Sequence, residues 1–220
     1  MIAQNPDNLP PEVDLALAWT PPKVRGPLSI ALQLDRRLAR IVTRTHEAML
    51  GQMRLAWWRE ALGKPAPERP QGDVVLDAIG NHWTGRESAL IAMVDGWEVL
   101  LTADPLDQPA IESFGKQRSA FFSTLVDDHL TPRQREEIAA AAYRWAIADA
   151  AARVSDAAER AALIAAGAAI PGIAGRLPKA LRGLAVLDAL GRRAVRRGGR
   201  PLMEGRGAPL VAMKAAILLK

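Results

Sequence analysis

The chain contains no cysteine. It therefore has no disulfide framework, no thiolate metal site and no cysteine nucleophile. Its three histidines, His46, His82 and His129, are isolated, and no two share a helical turn. That spacing excludes a zinc site of the H-E-x-x-H kind and any histidine-rich cage. Phosphate-loop and dinucleotide motifs are missing too. The glycines between Gly191 and Gly207 sit among arginines, without the strand that a phosphate loop requires. No Ser-His-Asp arrangement suits a serine hydrolase. The opening stretch Met1 to Asp14 carries neither a basic nor an apolar region of signal-peptide type. The longest weakly polar run, Ala161 to Ala174, is interrupted by Pro171 and too short to span a bilayer. The expectation is a cytoplasmic protein, with membrane contact at most peripheral.

Over 220 residues, 49% are hydrophobic and 24% charged, which is enough apolar material for one domain with a substantial core. Sustained alternation of apolar and polar residues is absent, whereas helical spacing recurs throughout. The expected class is all-α. Pro10, Pro11, Pro21 and Pro22 keep residues 1–26 as an extension, extended or briefly helical. From Pro27, a favoured first helical residue, Leu28, Ala31, Leu32, Leu38, Ile41 and Val42 form an apolar stripe. Residues 27–220 are read as one helical domain.

Further helices are expected over His46 to Leu62, from Asp73 to Ile79, and behind a capping box at Thr84-Gly85-Arg86-Glu87, where Leu90, Met93, Val94, Trp97 and Leu101 line one face. Pro109 opens another, with Ile111, Phe114, Phe121 and Phe122 inward. Thr131-Pro132-Arg133-Gln134 is a second capping box before a long alanine-rich helix through Trp145, and Ser155, Pro178 and Pro209 begin the last three helices. Short loops and many alanines suit tightly packed antiparallel helices.

Two features bear on function. Trp57 and Trp58 are adjacent on one helix, and neighbours there point about 100° apart. Trp57 shares a face with Leu50 and Met53; Trp58 lies one turn from Arg54 and from Leu62. On a purely structural reading Trp57 is core and Trp58 packs on a neighbouring helix. On a functional reading Arg54 and Trp58 belong to a cavity wall that holds an apolar chain with an anionic head. The second feature is the basic run Arg192-Arg193-Ala194-Val195-Arg196-Arg197-Gly198-Gly199-Arg200, part of a net charge of +5. Arginines at a helix end favour the negative pole of the dipole. The same residues, Arg192, Arg193, Arg196 and Arg197, would suit peripheral contact with an anionic membrane. Nucleic acid is the less favoured partner, because no recognition motif accompanies them.

The segments Leu34-Asp35-Arg36-Arg37-Leu38-Ala39-Arg40-Ile41 and Met49-Leu50-Gly51-Gln52-Met53-Arg54-Leu55-Ala56-Trp57-Trp58-Arg59-Glu60-Ala61-Leu62 resemble the N-terminal part of the squalene/phytoene synthase family. Leu90 to Leu101, Glu112 to Leu125 and Leu177 to Leu184 extend the resemblance over about Pro27 to Arg197. It is closest to a short bacterial branch, itself similar to the mitochondrial complex I assembly factor with a phytoene-synthase-like domain. The resemblance implies an isoprenoid-synthase-like antiparallel helical bundle. In its catalytic members, Mg²⁺ ions held by aspartate pairs at i, i+4 on two facing helices stabilise the departing diphosphate.

This chain departs from that pattern. Leu38-Ala39-Arg40-Ile41-Val42 stands where the first pair is expected, and near the second region Asp149 and Asp156 are two turns apart. Asp73-Val74-Val75-Leu76-Asp77 does read D-x-x-x-D, but it suits a helix start. No catalytic residue, metal ligand or cofactor is assigned. The resemblance implies a non-catalytic binding or assembly protein, whose partner is a prenyl-chain lipid, a diphosphate or a protein. The alternative is an active, Mg²⁺-dependent prenyltransferase with displaced ligands, drawn from Asp73, Asp77, Asp149 or Asp156.

Overall fold

A computed structural model describes residues 9–45, 47–126 and 129–220. Among these residues the chain forms ten α-helices, about 75% of it is helical, and there is no strand. The all-α reading holds. His46 lies outside the described residues.

Helix α1 (Pro11–Trp19) ends at Thr20, whose hydroxyl donates to the Ala16 carbonyl at 2.8 Å. Helix α2 (Pro22–Arg44) starts one and a half turns before the expected Pro27. Proline near a helix N-terminus removes only one bond, here to the Lys23 carbonyl. The carbonyl of Pro27 itself accepts a bond from the Trp83 indole at 3.0 Å. The chain from Pro11 onward shares the core, since Val13, Ala16 and Val24 are buried in it.

Next come α3 (Ala48–Gly63), α4 (Val74–His82) and α5 (Glu87–Thr102). The capping box expected at Thr84 to Glu87 does not form. Thr84 donates instead to the Gly80 carbonyl, Gly85 turns the chain at φ +78°, and Glu87 pairs with Arg69 at 2.8 Å. Helix α6 (Gln108–Ser119) is capped by Asp107, which accepts from the Ala110 amide. Helix α7 (Pro132–Ala151) does carry the expected box, with Thr131 and Gln134 satisfying each other's amides. Helix α8 (Ala157–Ala169) is capped by Asp156, and α9 (Arg182–Arg196) and α10 (Ala208–Leu218) complete the chain.

Two helices, the alanine-rich α7 and α9, occupy the centre. Residues Ala141 to Ala151 of α7 and Gly183 to Gly191 of α9 are buried without interruption. Small side chains let neighbours close in on every side. At Gly183, α1 lies so near that an added Cβ would stand 2.3 Å from Thr20 Oγ1. Around this centre α6 packs on α5 and α7, and α3 covers the far side of α5. The bundle therefore directs α2, α5, α6 and α7 toward one shared interior point.

Candidate functional site

At that point lies Arg118, 1% exposed. On α6 it follows Ile111 and Phe114 at helical spacing, so its position on the inward face follows from the same periodicity that buries them. Its Nε donates to Asp35 Oδ1 and its Nη2 to Asp35 Oδ2, both at 2.8 Å, forming a bidentate pair with α2. Nη2 also donates to Asp149 Oδ2 on α7 at 2.7 Å, and Nη1 to the Ala146 carbonyl at 2.9 Å. The guanidinium lies 4.6 Å from the ring centre of Trp97 and 4.7 Å from that of Trp145. Aromatic faces stabilise a cation there without supplying a proton acceptor.

The acids are closed from their other sides. Trp97 Nε1 donates to Asp35 Oδ1 at 2.8 Å, and Arg153 donates to Asp149 Oδ1 through Nε at 3.0 Å and Nη2 at 2.9 Å. Burial would push the Asp149 carboxyl up, but Arg118 and Arg153 outweigh it and hold the group at about 2. The Arg118 guanidinium loses solvation by burial, yet Asp35 and Asp149 raise its pKa further. Glu12 of α1, 3.7 Å from Arg153, is pushed up, mainly by burial. The cavity bordering this cluster is only about 20 Å³, room for roughly one water.

Each of the two facing aspartates has an instructive residue one turn on. Four positions after Asp35 is Ala39, and four after Asp149 is Arg153; both border the same small cavity. Magnesium needs a near-octahedral shell of oxygens. Here all four carboxylate oxygens of Asp35 and Asp149 already accept N–H donors, and a guanidinium occupies the space between them. These residues do not fit Mg²⁺.

The other candidate acids are not brought together. Asp73 caps α4, accepting from the Val75 and Leu76 amides at 2.9 and 3.0 Å, and pairs with Arg37. Asp77 accepts from the Gly72 amide, and Asp156 caps α8 through the Ala158 and Glu159 amides. Among the described residues, no three of His, Asp and Glu are grouped so as to hold one metal ion.

The purely structural reading of the tryptophan helix fails for Trp57, which faces outward, and not for Trp58, which is buried in the core. Trp58 is 5% exposed and Trp57 43%, their rings meeting edge to face at 5.1 Å. The buried face of α3 is Gly51, Leu55, Trp58 and Leu62, because Gly51 admits Leu101 of α5 and Arg59 pairs with Asp95 and Glu98 of α5. Met49, Leu50, Met53 and Trp57 are left facing outward. Arg54 is exposed, with Nη1 3.5 Å from Thr45 Oγ1, so Arg54 and Trp58 lie in different surroundings.

A second buried pair joins the two central helices. Arg144 of α7 donates to Asp188 of α9 at 2.7 Å and to the carbonyls of Ile170 and Pro171 at 2.9 Å. Burial pushes the Asp188 carboxyl up, against the opposing pull of Arg144 and Arg192. The signal in the sequence for both Arg118 and Arg144 is the same, an arginine standing on the apolar face of its helix.

Compared with models of protein families, with curated proteins and with solved structures, the chain gives no match.

Proposed function

We propose that the chain is a non-catalytic relative of the squalene/phytoene synthases that works by binding, as a carrier or assembly protein, and not by joining prenyl diphosphates. The reading rests on the resemblance of the α2 and α3 segments together with one observation. Arg118 stands between Asp35 and Asp149 and fills the space in which those two acids could otherwise share a divalent cation.

Ionising an allylic diphosphate requires preorganised positive charge that is free to face the leaving group. A guanidinium already committed to two carboxylates, and stacked between two indoles, has no such charge to offer. One turn on from each of these aspartates there is no second acid: Ala39 follows Asp35, and Arg153 follows Asp149. What remains is an internal salt bridge with a structural role. The binding half of the reading is supported by the outward stripe Met49, Leu50, Met53 and Trp57, four large apolar side chains on one helix face.

Incubation with farnesyl or geranylgeranyl diphosphate and Mg²⁺ tests the proposal. The expected diphosphate release equals that of a boiled control; release above it refutes a non-catalytic role and returns the displaced-ligand transferase.

A further inference from the structure

We propose that the C-terminal face, built on α10 and the arginines before it, docks onto an anionic lipid bilayer. This inference is independent of the reading above. It starts from an inversion in α10. The helix packs on α9 through Ala208, Ala212, Ala215 and Ala216, all buried, while Leu210, Met213 and Ile217 are 64%, 45% and 62% exposed. A helix that serves only its own core turns its large apolar residues inward. Here the small ones face in, and the large ones, spaced i, i+3 and i+7, form a ridge on the outside.

Charge identifies the occupant. From Arg192 to Lys220 the chain has eight basic residues and one acidic residue, Glu204, a net of +7 against +5 for the whole protein. The excess is therefore local, and the rest of the chain is slightly acidic. Glu204 is itself engaged: its carbonyl accepts from Arg197 and its carboxylate lies 3.7 Å from Arg200. Arg193 and Arg197 reach the turn at Gly205 that leads into α10. Arg196, Arg200 and Arg206 are exposed, Lys214 lies within the apolar ridge, and Lys220 follows its end.

An apolar ridge bordered by cations at both ends matches a bilayer interface, where aliphatic side chains enter the acyl boundary and basic groups meet lipid phosphates. Lys214 can extend its amine to the headgroups while its stem stays apolar. Nucleic acid would use the charge but leave the ridge in water. No helix among the described residues is long and apolar enough to cross a membrane, so the contact is one of lying on the surface.

The test is co-sedimentation of the full chain with vesicles of phosphatidylcholine alone or with roughly 30% phosphatidylglycerol. The expected partitioning is at least about tenfold stronger onto the anionic vesicles and weakens with salt. The triple variant Leu210→Ala, Met213→Ala, Ile217→Ala preserves helix propensity and should lose about tenfold in binding while keeping its circular dichroism. Should that variant unfold, Arg206→Gln, Lys214→Gln, Lys220→Gln removes surface charge alone and should abolish the preference for anionic lipid. Equal partitioning onto both vesicles, no partitioning, or unchanged binding by the charge variant would overturn the proposal. So would vesicle-independent dimerisation or DNA binding that the same substitutions remove.

Discussion

Arg118 on α6 and Asp149 on α7 meet at 2.7 Å in an interior where neither side chain is more than 8% exposed. The same guanidinium holds Asp35 of α2, so one cation joins three helices around a space too small for a substrate chain. Breaking a buried ion pair by removing one partner leaves an uncompensated charge, at a cost of about 3–5 kcal/mol. Arg118→Met should therefore lower unfolding free energy by about that much in urea titration. Arg118→Lys should recover only part, because an ammonium cannot reproduce the planar bidentate contact with Asp35. Wild-type stability in Arg118→Met would remove the hub from the fold's energetics.

The paired tryptophans give opposite expectations. Trp58→Ala empties a buried position and should cost about 3–5 kcal/mol. Trp57→Ala acts on a half-exposed ring and should cost less than about 1 kcal/mol. Equal losses would mean that α3 buries both rings alike.

Acid titration separates two carboxyls of the cluster. Asp149 is lowered from its ordinary 3.8 to about 2, so its contribution to stability is complete above pH 4 and lost as pH falls toward 2. Glu12 is raised above 4.5, chiefly by burial, so its ionisation opposes folding as pH rises from 4.5 through its native value. Glu12→Gln should then be more stable than wild type at pH 7, with the gain vanishing below pH 4. Urea midpoints at pH 3, 5 and 7 check both signs.

Close approach of helices makes its own prediction. At Gly183 a methyl would stand 2.3 Å from Thr20 Oγ1 and 2.9 Å from the Ala16 carbonyl, so Gly183→Ala should destabilise by about 1–3 kcal/mol through separation of α1 from α9. Gly63, at the end of α3, has nothing within 4 Å of the same methyl, and Gly63→Ala should stabilise slightly, by up to about 1 kcal/mol. Thermal melts of the two variants should shift in opposite directions.

What could be read from the residues was local. Thr131-Pro132 with Gln134 marks the start of α7 because a cap is satisfied within four residues. Asp73 was legible as a helix start, and in the structure it caps α4. Orientation was not legible, because α3 carries two apolar stripes, and which one faces α5 is decided by contacts distant in sequence: Gly51 admitting Leu101, and Arg59 pairing with Asp95 and Glu98. Nor was the hub: Asp35, Arg118 and Asp149 are 83 and 31 residues apart along the chain, and their meeting depends on how three helices pack. Pro27 misled because a second proline, Pro22, takes the favoured first position of α2, and Pro27 lies inside the helix at the cost of one backbone bond.

The central proposal, that an arginine closes the space between Asp35 and Asp149 and so leaves no room there for the Mg²⁺ that prenyl transfer would need, is tested most directly by calorimetry. The full-length protein is titrated with Mg²⁺ in the presence of an unreactive thiolo analogue of farnesyl diphosphate. The expected result is no magnesium-dependent binding of the analogue by wild type. Stoichiometric uptake of Mg²⁺ together with the analogue, abolished by Asp35→Asn or Asp149→Asn, would contradict the claim.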